Sequence, residues 1–243
     1  MQQIPQFVPD DPIATLNNCR GYYSRPKDKN GNWVGPLVGY AKKYGPDNKQ
    51  MVGNLYLDCA RLERFPSILV QYAAMLAEDI RQADGNVDWI MGVPEGGKSI
   101  ALLVALELGV EYIYPDGKTS SDMTAKRHAI APNTSGWIFE DVCNNFSTTD
   151  TVLGLIERAN AKVLGIGCIF NRSGQQVYFG NGQPLPVLSV LEVEAEQFEQ
   201  EDPAVAGDIF EGNVRLEPKA CIEELVTIMH NAEAQRHAIE TGS

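Results

Sequence analysis

Twice along the chain the same order of patterns recurs: a short strand-like run, a polar turn, a helix pattern and a second strand-like run. The first copy is Val87–Met91 (VDWIM), a turn from Gly92, the apolar stretch Ile100–Leu108 (IALLVALEL) stopped by Gly109, then Val110–Tyr114. The second is Trp137–Val142, a helix pattern from Thr149 to Ala159, and the run Lys162–Phe170. Two strands separated by a helix pair in parallel through a right-handed crossover. The expected fold is therefore α/β, a mainly parallel sheet flanked by helices. A longer amphipathic helix opens at Pro66 and runs from Ser67 to about Ala83, with Ile68, Tyr72, Met75, Leu76 and Ile80 along one stripe. Pro186–Val193 predicts a further strand, and Pro218 to about Ala234 a C-terminal helix.

At 243 residues and 44% apolar content the chain suffices for one large core with additions. Residues 1–60, rich in Gly, Pro, Asn and aromatics with weak periodicity, predict an irregular or strand-containing N-terminal subdomain. The core is expected over 61–215, and a C-terminal helix and tail over 216–243. Lys and Arg number 20 against 32 Asp and Glu, a net charge of −12, which repels nucleic acid and anionic lipid over most of the surface. A phosphorylated ligand must then be held by local amides, a few cations or a metal. The five cysteines form neither a C-x-x-C pair nor a zinc pattern, and no apolar run approaches membrane-spanning length. The expectation is a soluble, cytoplasmic protein that binds neither nucleic acid nor membrane.

Two turns carry the chemistry. Gly92–Ser99 (GVPEGGKS) matches the P-loop pattern G-x-x-x-x-G-K-[ST], and stands between a strand and a helix as that pattern requires. A carboxylate at Glu95, inside the loop, opposes a triphosphate, so an NTPase is the minor reading, with Lys98 an ordinary first-turn lysine. The second turn begins with Glu140–Asp141 at the C-terminal end of a strand, where open α/β sheets bind ligands. One reading of the pair is a magnesium-holding strand end with Asp141 as ligand. Another is a pair of acceptors for the vicinal hydroxyls of a ribose, with the following Asn144-Asn145-Phe146-Ser147-Thr148 offering amides to a 5-phosphate. Between the two turns, Asp116–Gly136 is long, polar and aperiodic, as lids are. Lys118 and Asp122 read as loop surface.

From about Tyr56 to Asp202, and most closely from Val87 to Gly174, the chain resembles the orotate phosphoribosyltransferases of the type I phosphoribosyltransferase fold. The family's E-D-V-[VI]-T-[TA]-G-[GT]-S run lies without a gap on Glu140–Thr148. Its strand-terminal D-R corresponds to Asn171-Arg172, its G-x-x-x-G-G diphosphate loop to GVPEGG, and its K-x-H-G element to Lys126-Arg127-His128. The resemblance implies a type I phosphoribosyltransferase-like sheet with an N-terminal hood. It also implies transfer of ribose 5-phosphate from phosphoribosyl diphosphate to orotate, with Mg²⁺ arriving on the substrate and Asp141 its candidate side-chain ligand. The same resemblance places the amides of Glu95, Gly96 and Gly97 on the diphosphate, and Lys126 and His128 in a lid closing over it. Glu140 and Asp141 fall on the ribose, Asp141 also counting as catalytic. Asn144, Asn145, Ser147 and Thr148 fall on the 5-phosphate, Arg172 on the nucleobase carboxylate, and the chain pairs as a homodimer.

Phe146 stands where the family has glycine, so a positive φ there costs roughly 1–2 kcal/mol. Lys49–Asp58 (KQMVGNLYLD) departs from the family's S-G-x-x-S-P loop. A non-catalytic relative that binds a nucleotide or a protein is accordingly the second reading.

Overall fold

Asp11 accepts a hydrogen bond from the Ala14 amide (2.8 Å) and Pro12 takes the first helical position, which together start α1 (Pro12–Asn18). There follow β1 (Tyr22–Ser24), β2 (Leu37–Tyr44), β3 (Gln50–Gly53), β4 (Leu55–Leu57) and the short α2 (Ala60–Glu63). Strand β1 pairs antiparallel with β4, and β2 with β3, whose register shifts between Gly39 and Tyr44. Strands this short, one of them irregular, leave little period-2 signal, which is why the segment reads as irregular from sequence. The computed structural model describes residues 5–83, 85–117 and 123–241, without the side chains of 41–43 and 238–241. These fall into two compact units, one of the residues up to Leu62 with those from Ala195 onward, the other Glu63–Glu194.

The second unit begins with α3 (Pro66–Gln82), followed by β5 (Trp89–Gly92), α4 (Gly97–Leu108), β6 (Glu111–Ile113), β7 (Ser135–Phe139) and β8 (Val142–Cys143). It closes with α5 (Ser147–Arg158), β9 (Lys162–Asn171), β10 (Val177–Gly180) and β11 (Gln183–Glu192). Among the described residues the sheet is seven-stranded, ordered β10-β11-β9-β7-β5-β6, with β8 on β9; only β10 runs antiparallel to its neighbour. This is the parallel sheet expected of the two β-α-β copies. Helix α4 stops at Gly109, whose φ of 69° suits glycine. In α3 the buried face is Ile68, Leu69, Tyr72, Ala73, Leu76, Ala77 and Ile80, whereas Met75 is exposed. At about 100° per residue Met75 lies on the outer edge of that stripe, so its place in the predicted stripe is corrected. The core below α5 joins Ile138, Ile166, Val152, Leu153, Ile156 and Phe146.

The chain then returns to the first unit through β12 (Gln197–Phe198), α6 (Ala206–Phe210), β13 (Val214–Arg215), a 3₁₀ turn (Pro218–Cys221) and α7 (Ile222–Thr241). The four-stranded order β12-β3-β2-β13 carries residues 195–215 into this unit rather than into the parallel-sheet core. Ile222, Leu225, Val226 and Met229 of α7 pack on Tyr23, Val38 and Tyr40. Arg25, only 6% exposed, pairs with Asp208 at 2.5 Å and donates from Nε to the Gly35 carbonyl, satisfying a charge that burial would otherwise make costly.

Candidate active site

Parallel register sets the first turn beside the second, because Gly92 at the end of β5 is level with Phe139 at the end of β7. All four β5 residues are buried. The Val93 amide donates to Phe139 O (2.8 Å) and Gly97 closes the turn by donating to Val93 O (3.0 Å). The peptide between Pro94 and Glu95 is cis. A Cβ on Gly97 would lie 1.9 Å from Phe139 O, and one on Gly96 2.3 Å from both Cγ and Oδ2 of Asp141. The two glycines are therefore set by close approach to the neighbouring strand end. The Gly97 amide, placed on the diphosphate by resemblance, is already committed to Val93 O at the first turn of α4.

Lys98 takes a different role from a P-loop lysine. Its Nζ lies 3.3 Å from the Glu95 carboxylate and 4.9 Å from the centre of the Tyr114 ring. The loop thus neutralises its own lysine.

Glu140 and Asp141 bridge β7 and β8, and β9 fixes both. The Glu140 amide donates to Gly167 O (3.0 Å), while Asp141 O accepts from Ile169 (3.1 Å) and Phe170 (3.2 Å). Glu140 Oε1 accepts from the hydroxyl of the fully buried Thr149 (2.8 Å), and Asp141 Oδ1 from the Val142 amide (2.9 Å). Thr149 escaped the sequence reading, although a threonine in the first turn of a helix nine residues past the acidic pair was the available signal.

The turn that follows ends in α5 without a side-chain cap, since Phe146 occupies the N-cap position with φ 55° and ψ 12°. An uncapped helix N-terminus directs amides and a positive dipole end outward, a setting that favours an anion. Asn145 Oδ1 accepts from Ser147 N (3.3 Å), Thr148 follows in the same first turn, and Asn144 Oδ1 is buried without a hydrogen-bond partner among the described residues. The Phe146 ring is 3% exposed, turned into the core with Leu153 and stacked on Tyr178 at 4.2 Å and 22°. The Tyr178 hydroxyl donates to Asp150 Oδ1 (2.5 Å); burial first, and then this bond, push its pKa up to about 12.

Around the expected lid, Asp116 and Thr124 exchange backbone bonds (2.7 and 2.9 Å). The Asp116 carboxylate accepts from the Arg127 amide (3.0 Å) and pairs with its guanidinium (3.2 Å). Met123 and Ile130 are buried on either side, Lys126 is exposed, and the His128 ring lies 4.2 Å from that of Tyr114. Tyr114 thus meets both Lys98 of the first loop and His128 of the expected lid, a juncture the sequence did not mark. Lys118 and Asp122 lie outside the described residues. Arg172 follows β9, its amide donating to Cys143 O (3.0 Å) and its Nε and Nη1 buried. Asn171 shapes this corner, accepting from Ser173 N (3.0 Å) and Oγ (2.7 Å) and donating to Gln175 O (2.9 Å).

A parallel sheet with a glycine loop, an acidic strand end and an uncapped helix N-terminus on one edge defines the type I phosphoribosyltransferase fold. Solved structures agree. UMP synthase of Leishmania donovani matches with a TM-score of 0.50 at 18% identity, over 76% of this chain and 39% of that one. Adenine phosphoribosyltransferase of Leishmania tarentolae matches with a TM-score of 0.50 at 16% identity, over 76% and 89%. In sequence the chain is similar to orotate phosphoribosyltransferases, as its motifs implied. That of Caldanaerobacter subterraneus is 24% identical over 147 residues, 60% of this chain and 74% of the relative; that of Chlorobium phaeobacteroides is 25% identical over 149 residues, 61% and 74%. No protein-family model matches the chain. Among the described residues no helix is long and apolar enough to cross a membrane.

Proposed function

We propose that the protein is a phosphoribosyltransferase that transfers ribose 5-phosphate from phosphoribosyl diphosphate to orotate, giving orotidine 5-phosphate and diphosphate. The observation that carries this reading is the contact between the two turns: the Asp141 carboxylate lies where a Gly96 side chain would be. The diphosphate loop and the ribose carboxylates are thereby within one sugar's reach of each other. The C1–O bond to diphosphate breaks, diphosphate taking the electron pair, as the bond from C1 to the base nitrogen forms and that nitrogen surrenders its proton. The sugar is oxocarbenium-like at the midpoint, so the protein's task is to orient the reactants and stabilise the departing charge.

Glu140, held by Thr149, and Asp141 accept the ribose hydroxyls. The amides of Glu95 and Gly96 face the diphosphate, and Lys126 and His128 close over it. Asn144, Asn145, Ser147, Thr148 and the N-terminus of α5 take the 5-phosphate, and Arg172 meets the carboxylate of the base. Among the described residues no three His, Cys, Asp or Glu side chains form a metal cage. A carboxylate pair beside a phosphate loop suits Mg²⁺ that arrives on the substrate, with Asp141 as its one side-chain ligand. Bound there, the ion would offset diphosphate charge. The same reading carries a homodimer, which light scattering tests.

The deciding experiment is diphosphate release with phosphoribosyl diphosphate, Mg²⁺ and orotate, against Asp141→Asn as control. Release above the control that depends on orotate supports the reading. Release that depends on adenine instead retains the transferase and replaces the base. No release above the control overturns it in favour of a non-catalytic relative, the reading to which Phe146 in a glycine position points.

A further inference from the structure

We propose that Tyr178 is a positioning residue for the phosphate turn, holding by side-chain packing a backbone conformation that glycine would adopt unaided. The inference rests on the reading that the N-terminus of α5 takes the 5-phosphate. Phe146 has φ 55°, a region that bulky L residues enter only when the surroundings over-determine it. What determines it here is the β10–β11 hairpin. Along β10, Val177 and Phe179 are exposed at 43% and 70%. Tyr178 and Gly180 alternate to the opposite side, toward α5.

Three contacts fasten that side. The Tyr178 ring stacks on Phe146, its hydroxyl donates to Asp150, and Gly180 sits so close to α5 that a Cβ would be 2.3 Å from Leu153 Cδ1. Phe146 precedes α5 and Asp150 is its fourth residue, so Tyr178 grips both ends of Ser147–Thr149, the segment whose amides form the anion site. Near-parallel stacking at 4.2 Å fixes where the Phe146 side chain can go. With its ring fixed in the core, the backbone of the turn has one arrangement available, and the mouth of the helix is left open.

The test is a rescue. Tyr178→Ala raises KM for phosphoribosyl diphosphate by about tenfold or more, while KM for orotate and kcat stay within about threefold, because the variant loosens an anion site and leaves the reacting atoms alone. Tyr178→Phe keeps the stack but releases Asp150, so its KM for phosphoribosyl diphosphate should lie between those of wild type and Tyr178→Ala. Adding Phe146→Gly to Tyr178→Ala restores KM for phosphoribosyl diphosphate toward the wild-type value, since glycine enters the left-handed region unaided. A purely structural role would make that double variant worse.

Calorimetry with ribose 5-phosphate reads the same series independently of turnover. The proposal is overturned if Tyr178→Ala binds ribose 5-phosphate as wild type does, or if the double variant binds no better than the single. Wild-type protein that binds ribose 5-phosphate but releases no diphosphate refutes the transferase alone, and the affinity series still decides the role of Tyr178. Wild-type protein that does not bind ribose 5-phosphate overturns the role of Tyr178 as well.

Discussion

Replacing Gly96 by alanine tests whether the spacing of the two turns sets the position of Asp141. The new Cβ would stand 2.3 Å from Cγ and Oδ2 and 2.6 Å from Oδ1, whereas real Cβ atoms keep at least 3.0 Å. A displacement of at least 3.0 − 2.3 = 0.7 Å is needed, taken most cheaply by the carboxylate as the movable end of a side chain, and a swing that carries Oδ1 away weakens the bond it accepts from Val142. Asp141 is half-buried, so losing that bond costs about 1 kcal/mol, or about 2–4 °C in Tm for a chain of this length. The effect on transfer is far larger, because a misplacement approaching 1 Å at a positioning group costs about 10²-fold in rate. Gly97→Ala separates the two effects: its Cβ meets backbone, Phe139 O at 1.9 Å, which cannot swing aside. That variant should lose about 3 kcal/mol of stability, the upper end of overpacking costs, together with its activity. The assay pairs thermal unfolding with diphosphate release at subsaturating phosphoribosyl diphosphate. Gly96→Ala that keeps kcat/KM within about twofold refutes the argument, since Asp141 would then tolerate the displacement the geometry forces.

Thr149→Val deprives the Glu140 carboxylate of a buried donor and should cost about 1–3 kcal/mol in urea unfolding, with kcat/KM down by about tenfold. The Thr124 and Arg127 amides, bonded to Asp116 across the expected lid, should exchange hydrogen faster than those of β7 and slow on adding phosphoribosyl diphosphate with Mg²⁺; exchange unaffected by ligand would remove the lid role. Glu223 is held below the ordinary carboxylate pKa, first by its hydrogen bond from Arg20 and then by Arg61. Its folded pKa lies below its unfolded one, so its contribution is complete above the unfolded value and disappears as pH falls through the folded value. Glu223→Gln should accordingly destabilise the fold slightly at pH 7, by less than about 1 kcal/mol because solvent screens the pair, and the difference should shrink as the pH is lowered through the carboxylate range.

Local order carried most of the parallel sheet into the sequence reading. Each β-α-β copy is a continuous stretch, so its apolar runs, its Gly109 stop and the helix of Ser147–Arg158 are visible as pattern. The first unit lacked that advantage. Its sheet takes β12 and β13 from beyond Ala195 and pairs Gln197 with Gly53 and Val214 with Leu37, far apart in the chain, and two-residue strands carry no periodicity. Residues 195–215 therefore read as a continuation of the core.

The site divides along the same line. Glu140, Asp141, Glu95, Gly96, Lys126, His128 and Arg172 stand in short motifs because each loop at the sheet edge is contiguous in sequence. What holds them comes from elsewhere in the chain: Tyr114 under His128 and Lys98, Thr149 on Glu140, Tyr178 behind Phe146. Spacing alone matched Gly92–Ser99 to a P-loop, and that match gave no hint that Lys98 would turn back on Glu95. Phe146 shows both sides of this. In sequence it marks a glycine position filled by a bulky side chain, where a positive φ carries a cost; the φ of 55° and the ring buried in the core are what the structure adds. Where the ring would go depended on a hairpin 32 residues later, and only the folded chain supplies that partner.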